Sequence, residues 1–88
     1  MILGVQIRAG RALLRWSASE LSRQSGVSLS TIHRAEALDG ETAMTLPNAA
    51  AVRRAFENAG VEIIEEDKAG PGARLKHPLS NSSKPKKQ

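Results

Sequence analysis

The sequence contains no cysteine, and its aromatic residues are limited to one tryptophan and one phenylalanine among 88 residues. The absence of cysteine excludes disulfide bonds and thiolate metal sites. Two aromatic residues are too few for the stacking platforms that bind single-stranded nucleic acid or RNA. No apolar run approaches the length of about 18 residues that a membrane span needs, and residues 1–30 do not show the pattern of a signal peptide. These absences predict a small cytoplasmic protein.

The charge is divided into three segments, although the net charge of the whole chain is only +4. Residues 1–54 hold seven basic and four acidic residues, and residues 55–73 hold one basic and five acidic residues. Residues 74–88 hold five basic residues and no acidic residue. This division predicts three segments with different roles rather than one uniform surface.

Helical spacing and capping residues predict two short helices at the start of the chain. Residues 5–15 show the three- and four-residue spacing of an amphipathic helix, with apolar side chains at Val5, Ala9, Ala12 and Leu13. Ser17 and Glu20 form a capping-box pattern, in which each side chain accepts a hydrogen bond from the other residue's backbone amide. A second helix is therefore expected over 18–25, ending at Gly26.

Two further helices are predicted between residues 28 and 59. Ser28 is a suitable N-cap for a third helix over 29–38, with a buried face that contains Ile32, Ala35 and Leu38. Thr45 is a suitable N-cap for a fourth helix, and Pro47 falls in its first turn, where a missing amide hydrogen does little harm.

The hydrophobic period changes after residue 60. Residues 61–66 are rich in β-branched side chains and predict a strand. A turn over 67–72 and a returning strand over 73–76 would make this strand into a β-hairpin. The polar segment 77–88 cannot bury enough apolar surface to fold, and it is predicted to be a disordered basic tail.

The run from Trp16 to Glu36 carries a resemblance to a known family. It reads WSASELSRQSGVSLSTIHRAE, two short helices joined by a tight turn that contains Gly26. Over residues 5–60 the chain resembles the DNA-binding domain of the XRE family, the phage repressor and Cro type, and its ending after residue 59 is similar to that of small bacterial members. The resemblance implies a mostly α fold. It implies a four-helix lambda-repressor-like helix-turn-helix domain over 1–60, followed by a short C-terminal β-hairpin over 61–76.

The resemblance also implies which side chains meet DNA. A B-DNA major groove is about 12 Å wide and admits a helix. In the family, positions equivalent to Leu29, Ser30 and Arg34 touch base edges, while those of Thr31 and His33 lie near bases or phosphates. The ends of the first two helices are expected near the phosphate backbone. The candidate DNA-binding residues are Ser28, Leu29, Ser30, Thr31, His33, Arg34, Arg15 and Arg23.

Other interpretations of these residues stay open. Leu29 can touch a thymine methyl group or pack on the protein, and both His33 and Arg34 can be ordinary solvated side chains. Many family members begin the second helix with a glutamine that reaches a phosphate. Ala18 stands at this position, so one family contact is missing.

Two structural expectations follow from charge and hydrophobicity. Arg11 and Glu36 fall on otherwise inward-facing sides of their helices, and the resemblance pairs them, so an ion pair is expected between the first and third helices. The hairpin carries apolar side chains and an exposed edge that can pair with a symmetry mate. It is therefore the predicted dimer interface, through Val61, Ile63, Ile64 and Leu75.

No arrangement of residues predicts catalysis or metal binding. The serines near 17 and 28 are explained as helix caps, since no histidine–carboxylate pair is spaced to activate them. His33 and His77 lack a partner at metal-ligand spacing. The chain is therefore expected not to be an enzyme and to use no cofactor.

The function expected from the sequence is sequence-specific binding of double-stranded DNA by a transcriptional regulator. It would act as a homodimeric repressor that blocks a promoter by placing the third helix, residues 29–38, in the major groove. It would be cytoplasmic, and associated with the nucleoid when bound to its operator. The alternative is a protein-interaction module, an antitoxin or antiactivator, that uses the same fold to mask a second regulatory protein.

Overall fold

Four helices and a two-stranded antiparallel sheet make up the fold in a computed structural model that describes residues 2–79. In chain order, the elements are α1 (Gly4–Leu14), α2 (Ala18–Ser25), α3 (Leu29–Glu36), α4 (Leu46–Asn58), β1 (Val61–Ile64) and β2 (Gly72–Leu75). The predicted mostly α fold with a C-terminal hairpin is confirmed. Residues 80–88, the greater part of the predicted tail, lie outside the described residues.

The N-terminus of α1 is capped by the backbone of the segment that follows α3. Leu3 has no side chain that could cap the helix, and the first amides of α1 therefore need other acceptors. The carbonyl of Gly40 accepts from the Gly4 amide at 2.9 Å, and that of Asp39 accepts from the Val5 amide at 3.1 Å. This backbone contact joins the start of α1 to the end of α3.

The apolar stripe predicted for α1 is wrong, because the opposite side of the helix faces the core. Val5 and Leu13 are 39% and 38% exposed, whereas the buried residues of α1 are Gly4, Gln6, Ile7 and Gly10. Gly4 lies against the backbone carbonyls of Ala35 in α3 and of Leu38 just after it, and Gly10 lies against the ring of Phe56. Two glycines therefore allow close packing that the hydrophobic pattern does not reveal.

The core lies between the helices and one face of the hairpin. Its largest fully buried side chains come from several elements and include Phe56, Ile2, Ile7, Leu21, Ile32, Val52 and Val61. The rings of Trp16 and Phe56 stack with centroids 6.0 Å apart, so both aromatic residues of the chain are used in packing.

α3 is shorter than predicted. It ends at Glu36, and Leu38 is 48% exposed rather than part of the buried face. The carbonyls of residues 36 and 38 accept hydrogen bonds from Arg8, and those of residues 39 and 40 accept from the first amides of α1. These tertiary contacts replace the continuation of the helix.

The hairpin is also slightly displaced from the prediction. β1 covers 61–64 instead of 61–66, and β2 covers 72–75 instead of 73–76. Val61 lies opposite Leu75 and Ile64 lies opposite Gly72. β1 packs on α4, and β2 packs on α1.

The packing of the hairpin within one chain buries part of the apolar surface that was predicted to form the dimer interface. Val61 and Ile63 are 0% and 4% exposed within a single chain, so their side chains are already covered and are not free to meet a partner. Ile64 and Leu75 are half-buried. The prediction that all four side chains are buried only against a second copy of the chain is therefore wrong for Val61 and Ile63. Dimerisation itself stays a prediction.

Gln6 ties the hairpin to α1. This side chain is 1% exposed. Its Oε1 accepts one hydrogen bond, and both hydrogens of its Nε2 are donated. Its Oε1 accepts from the Leu3 amide at 2.8 Å, while its Nε2 donates to the carbonyls of Ile64 at 2.7 Å and Gly72 at 3.1 Å.

Among residues 2–79, no helix is both long and apolar enough to cross a membrane.

The close approach at Gly4 predicts a selective loss of stability. A Cβ atom at this position would lie 1.8 Å from the Leu38 carbonyl oxygen, which belongs to the backbone and cannot move away easily. We expect Gly4→Ala to destabilise the protein by about 1–3 kcal/mol, measured by chemical or thermal unfolding. Gly40→Ala is the control, because a Cβ at Gly40 meets nothing within 4 Å. Equal stability of the two variants would contradict the close packing of α1 on α3.

Candidate nucleic-acid interface

α2, a three-residue connection and α3 form one continuous unit. The Ser17 side chain accepts from the Glu20 amide to cap α2, and Gly26 ends that helix in the left-handed region with φ of 77°. The Ser28 side chain then accepts from the Thr31 amide to cap α3. Both serine caps and the glycine end are where the sequence predicted them. Between the two helices, Val27 is buried and its carbonyl accepts from the Ser22 hydroxyl at 2.6 Å.

Only half of the predicted capping box at α2 is present. The Glu20 carboxylate accepts hydrogen bonds from the Arg23 guanidinium and from Gln24 Nε2, the latter at 2.7 Å. Because the hydrogen bond from Arg23, followed by that from Gln24, favours the charged form, the pKa of Glu20 lies below its ordinary value. The carboxylate is thus used on the surface of α2, one turn after the cap, instead of returning to the Ser17 amide.

The predicted ion pair between Arg11 and Glu36 is confirmed, and it joins α1 to the last residue of α3. Arg11 Nε and Nη2 donate to the two carboxylate oxygens of Glu36 at 2.6 and 2.7 Å. The remaining Nη1 donates to the Trp16 carbonyl at 3.0 Å. The Arg11 side chain is 24% exposed and that of Glu36 is 10% exposed. The hydrogen bonds from Arg11 to Glu36 outweigh desolvation and raise the pKa of Arg11.

A second arginine of α1 holds the end of α3 by its backbone, and the sequence did not predict it. Arg8 Nη1 donates to the carbonyl of Glu36 and, at 3.2 Å, to that of Leu38. The other Arg8 nitrogen, Nη2, is paired with the Asp39 carboxylate. α3 therefore has its C-terminal carbonyls bound by a cation, which also suits the negative end of a helix. The only sequence signal was the opposite charge of residues 8 and 39, which is too common to predict a contact.

The outer face of α3 presents polar and basic side chains to solvent. Ser30, His33 and Arg34 are exposed, and Leu29 is 36% exposed. The side chains of His33 and Arg34 have no hydrogen-bond or ion-pair partner within residues 2–79. Glu36 is the one acidic residue of α3, and it turns toward Arg11. The outer face therefore carries positive charge without a carboxylate to balance it.

Hydroxyl groups cluster at the N-terminal end of this face. Ser28 Oγ lies 2.8 Å from Thr31 Oγ1 and 3.5 Å from Ser30 Oγ. Hydroxyls can donate to phosphate oxygens or to base edges, and the positive end of a helix favours an anion near them. Six of the predicted DNA-binding residues therefore lie together, at the N-cap of α3 and along the helix, namely Ser28, Leu29, Ser30, Thr31, His33 and Arg34.

Arg15 and Arg23 lie on other elements and differ in their availability. Arg23 is in the last turn of α2 and is paired with Glu20, so part of its charge is compensated within the helix. Arg15 follows α1, is exposed, and its side chain has no partner within the described part of the chain. Neither side chain is hydrogen-bonded to the outer residues of α3.

Among residues 2–79, the structure contains no cluster of three potential metal-ligating side chains.

Comparison of the chain with family models, with curated proteins and with solved structures found no match in any of the three. The functional interpretation therefore depends on the geometry of this chain.

Because the ion pair between Arg11 and Glu36 is partly buried, we predict that loss of the Glu36 carboxylate destabilises the protein more than loss of an exposed carboxylate. Glu36→Ala would leave the half-buried Arg11 without its carboxylate partner and with only the Trp16 carbonyl as acceptor, and we expect a loss of about 3 kcal/mol in the free energy of unfolding. Glu20→Ala is the control, since its pair with Arg23 is exposed to water, and it should change the melting temperature much less. Similar melting temperatures for the two variants would show that the pair on α3 is not important for stability.

The backbone at Arg15 predicts a stabilising substitution. Arg15 has φ of 58° and is the one non-glycine residue among residues 2–79 with positive φ. This conformation costs an L-residue about 1–2 kcal/mol, whereas glycine adds about 0.4–1 kcal/mol of freedom to the unfolded chain. We therefore expect Arg15→Gly to stabilise the protein by about 0.5–1 kcal/mol, measured by denaturant unfolding. Arg54→Gly is a matched control inside α4 and should destabilise it by about 1 kcal/mol.

Proposed function

We propose that α2, the connection at residues 26–28 and α3 form a helix-turn-helix, and that the protein is a sequence-specific regulator that binds double-stranded DNA through α3. One observation carries this proposal. The outer face of α3 combines an arginine that has no partner within residues 2–79 and an exposed histidine with three hydroxyl side chains, and the only acidic residue of the helix is turned inward. A helix with such a face suits the negative potential and the donors and acceptors of a major groove.

The contacts that hold both ends of α3 in place support this role. A helix that reads bases must be held in a fixed direction, because a small rotation would move its side chains away from the base edges. Arg11 binds the carboxylate of Glu36 with two hydrogen bonds, and Arg8 binds the carbonyl of the same residue. The N-terminal end of α3 is held separately, by the Ser28 cap and the buried Val27.

Each side chain of the outer face has a defined role in this proposal. Arg34 lies one turn beyond Ser30 and donates two hydrogen bonds to guanine O6 and N7, the commonest specific contact of arginine in DNA. Ser30 and His33 contact neighbouring base edges or phosphates, and Leu29 meets a thymine methyl group or packs against the connection. Ser28 and Thr31 donate to a phosphate near the start of the helix.

Arg15 and Arg23 serve as phosphate contacts in the same proposal. They add affinity without sequence preference, and the affinity should fall as salt concentration rises. Binding at a promoter would exclude RNA polymerase, so that the protein acts as a repressor in the cytoplasm. The competing proposal, a module that masks another regulatory protein, needs an outer face that binds protein rather than phosphate. It becomes the better explanation if no duplex binds.

Replacement of Arg34 should separate specific from non-specific binding. A preferred duplex is first obtained by selection from a random pool with the intact protein. Arg34→Ala should then lose about 1–3 kcal/mol on the selected duplex and much less on a scrambled duplex. The measurement is an equilibrium titration of both duplexes at several salt concentrations.

Arg54→Ala is the matched control for this experiment. Arg54 is an exposed arginine of α4 without a side-chain partner in the described residues, so its loss changes the net charge equally. It should weaken both duplexes slightly and to the same extent. Equal losses on both duplexes for Arg34→Ala would make Arg34 a phosphate contact only. If the selection enriches no duplex, DNA binding is wrong.

A further inference from the structure

The segment after α3 contains the one aspartate of the chain that is followed by a glycine. Asp39 precedes Gly40, and no other aspartate or asparagine precedes a glycine. In such a pair the backbone nitrogen of the glycine can attack the side-chain carboxyl carbon of the aspartate, because glycine has no side chain that shields its nitrogen. The attack expels water and closes a cyclic imide, a succinimide. The pair is therefore a candidate site of backbone modification.

The fold leaves both reacting groups open to solvent. Residues 38–40 belong to no helix and no strand, and the Asp39 side chain is 88% exposed. The Gly40 amide has no hydrogen-bond acceptor within residues 2–79. An amide inside a helix or a sheet is held by a hydrogen bond that must open first, and the Gly40 nitrogen lacks this protection.

One contact restrains the aspartate. Arg8 Nη2 donates to Asp39 Oδ1, while Arg8 Nη1 is bound to the backbone carbonyls of Glu36 and Leu38. The guanidinium is therefore fixed on the backbone, and a carboxyl group bound to it is less free to turn toward the Gly40 nitrogen. An ion pair as exposed as this one is weak, so it slows ring closure without preventing it.

We propose that the bond between Asp39 and Gly40 is a site of spontaneous isomerisation to isoaspartate, that the pair with Arg8 limits its rate, and that the product releases α1 from the end of α3. Gly40 N bonds to Asp39 Cγ. The carboxyl hydroxyl and the amide hydrogen leave together as water. Water then adds back at the former backbone carbonyl carbon to give isoaspartate, or at Cγ to restore aspartate. No oxidant or cofactor is needed.

The product changes the groups that hold α1. In isoaspartate the chain runs through Cβ and Cγ of Asp39, so the backbone is one carbon longer. The carboxyl group that Arg8 binds becomes the backbone amide, and the former backbone carbonyl becomes the free carboxylate. Before the reaction, the Asp39 and Gly40 carbonyls accept from the Val5 amide at 3.1 Å and the Gly4 amide at 2.9 Å. The reaction thus rebuilds the backbone that caps α1.

The conversion does not depend on DNA binding, although a loss of DNA binding by the converted chain rests on the proposed function. The experiments use the full chain without DNA, so failure of the conversion and failure of DNA binding are distinguishable.

The first test follows the intact chain during prolonged incubation at neutral pH. Mass spectrometry of peptides should detect a species at residues 39–40 that is lighter by one water, followed by a product of unchanged mass that separates on chromatography. Enzymatic methylation of isoaspartyl carboxylates identifies the product. Asp67 is the internal reference, because a lysine follows it and its Oδ1 accepts from the Ala69 amide at 2.9 Å. Equal conversion at Asp39 and Asp67, or none at Asp39, overturns the proposal.

The second test hinders the attacking nitrogen without disturbing the fold. Gly40→Ala adds a Cβ that meets nothing within 4 Å, and Gly40 is not in the left-handed region. The added methyl group should slow conversion several-fold, while circular dichroism and thermal melting stay as in the intact chain. Conversion at an unchanged rate in Gly40→Ala contradicts attack by this nitrogen.

The third test removes the restraint on the aspartate. Arg8→Gln should accelerate conversion several-fold, because the Asp39 carboxyl group is then free to turn. Arg54→Gln is the matched control, since Arg54 is an exposed arginine of α4 without a side-chain partner in the described residues. It changes the net charge equally and should leave the rate unchanged. Equal rates in the two variants would remove Arg8 from the proposal.

The fourth test asks what the modification does to the fold, and it needs no variant. The isoaspartate form, separated by chromatography, should melt at a lower temperature than the unmodified chain. In hydrogen–deuterium exchange its Gly4 and Val5 amides should exchange faster, while the amide of Phe56 in the middle of the core should change much less. Identical melting and exchange of the two forms overturns the release of α1.

Discussion

The ion pair between Arg11 and Glu36 is the constraint on which the placement of α3 depends. α3 has eight residues, and a helix of this length is not stable in water without tertiary support. The two hydrogen bonds from Arg11 fix the last residue of α3, while Arg8 binds the carbonyls of that same end. With the inner side of the helix held by charge and by Ile32, the outer side is left exposed to solvent.

A small chain must obtain rigidity from few contacts, and here polar groups supply part of it. Gln6 is buried and uses its amide to join α1 with both strands of the hairpin. The backbone at Asp39 and Gly40 caps α1 in place of a side chain. Both devices are effective because a buried polar group that loses its partner destabilises the fold more than the bond itself contributes.

The local elements and the composition of the proposed site were predictable to a large extent. Ser17, Ser28 and Gly26 act on their immediate neighbours, and short-range hydrogen bonds of this kind follow from residue type and spacing alone. The pairing of Arg11 with Glu36 was predictable mainly from the family resemblance, because the hydrophobic spacing of α1 indicated the wrong buried face. The buried face of α1 was not predictable, because it contains Gly4 and Gly10. A glycine that allows close packing cannot be told from an exposed glycine by residue type.

The sequence by itself determined where the helices begin, which residues α3 carries on its outer side, and that two short strands follow α4. The tertiary structure decided which side of α1 is buried, where α3 stops, and that Val61 and Ile63 are covered within one chain. The physical reason is the range of the interactions. Caps and periodicity act over three or four residues, whereas the bond from Gln6 to Ile64 joins groups 58 residues apart. Such a contact exists only after the backbone has brought both groups together.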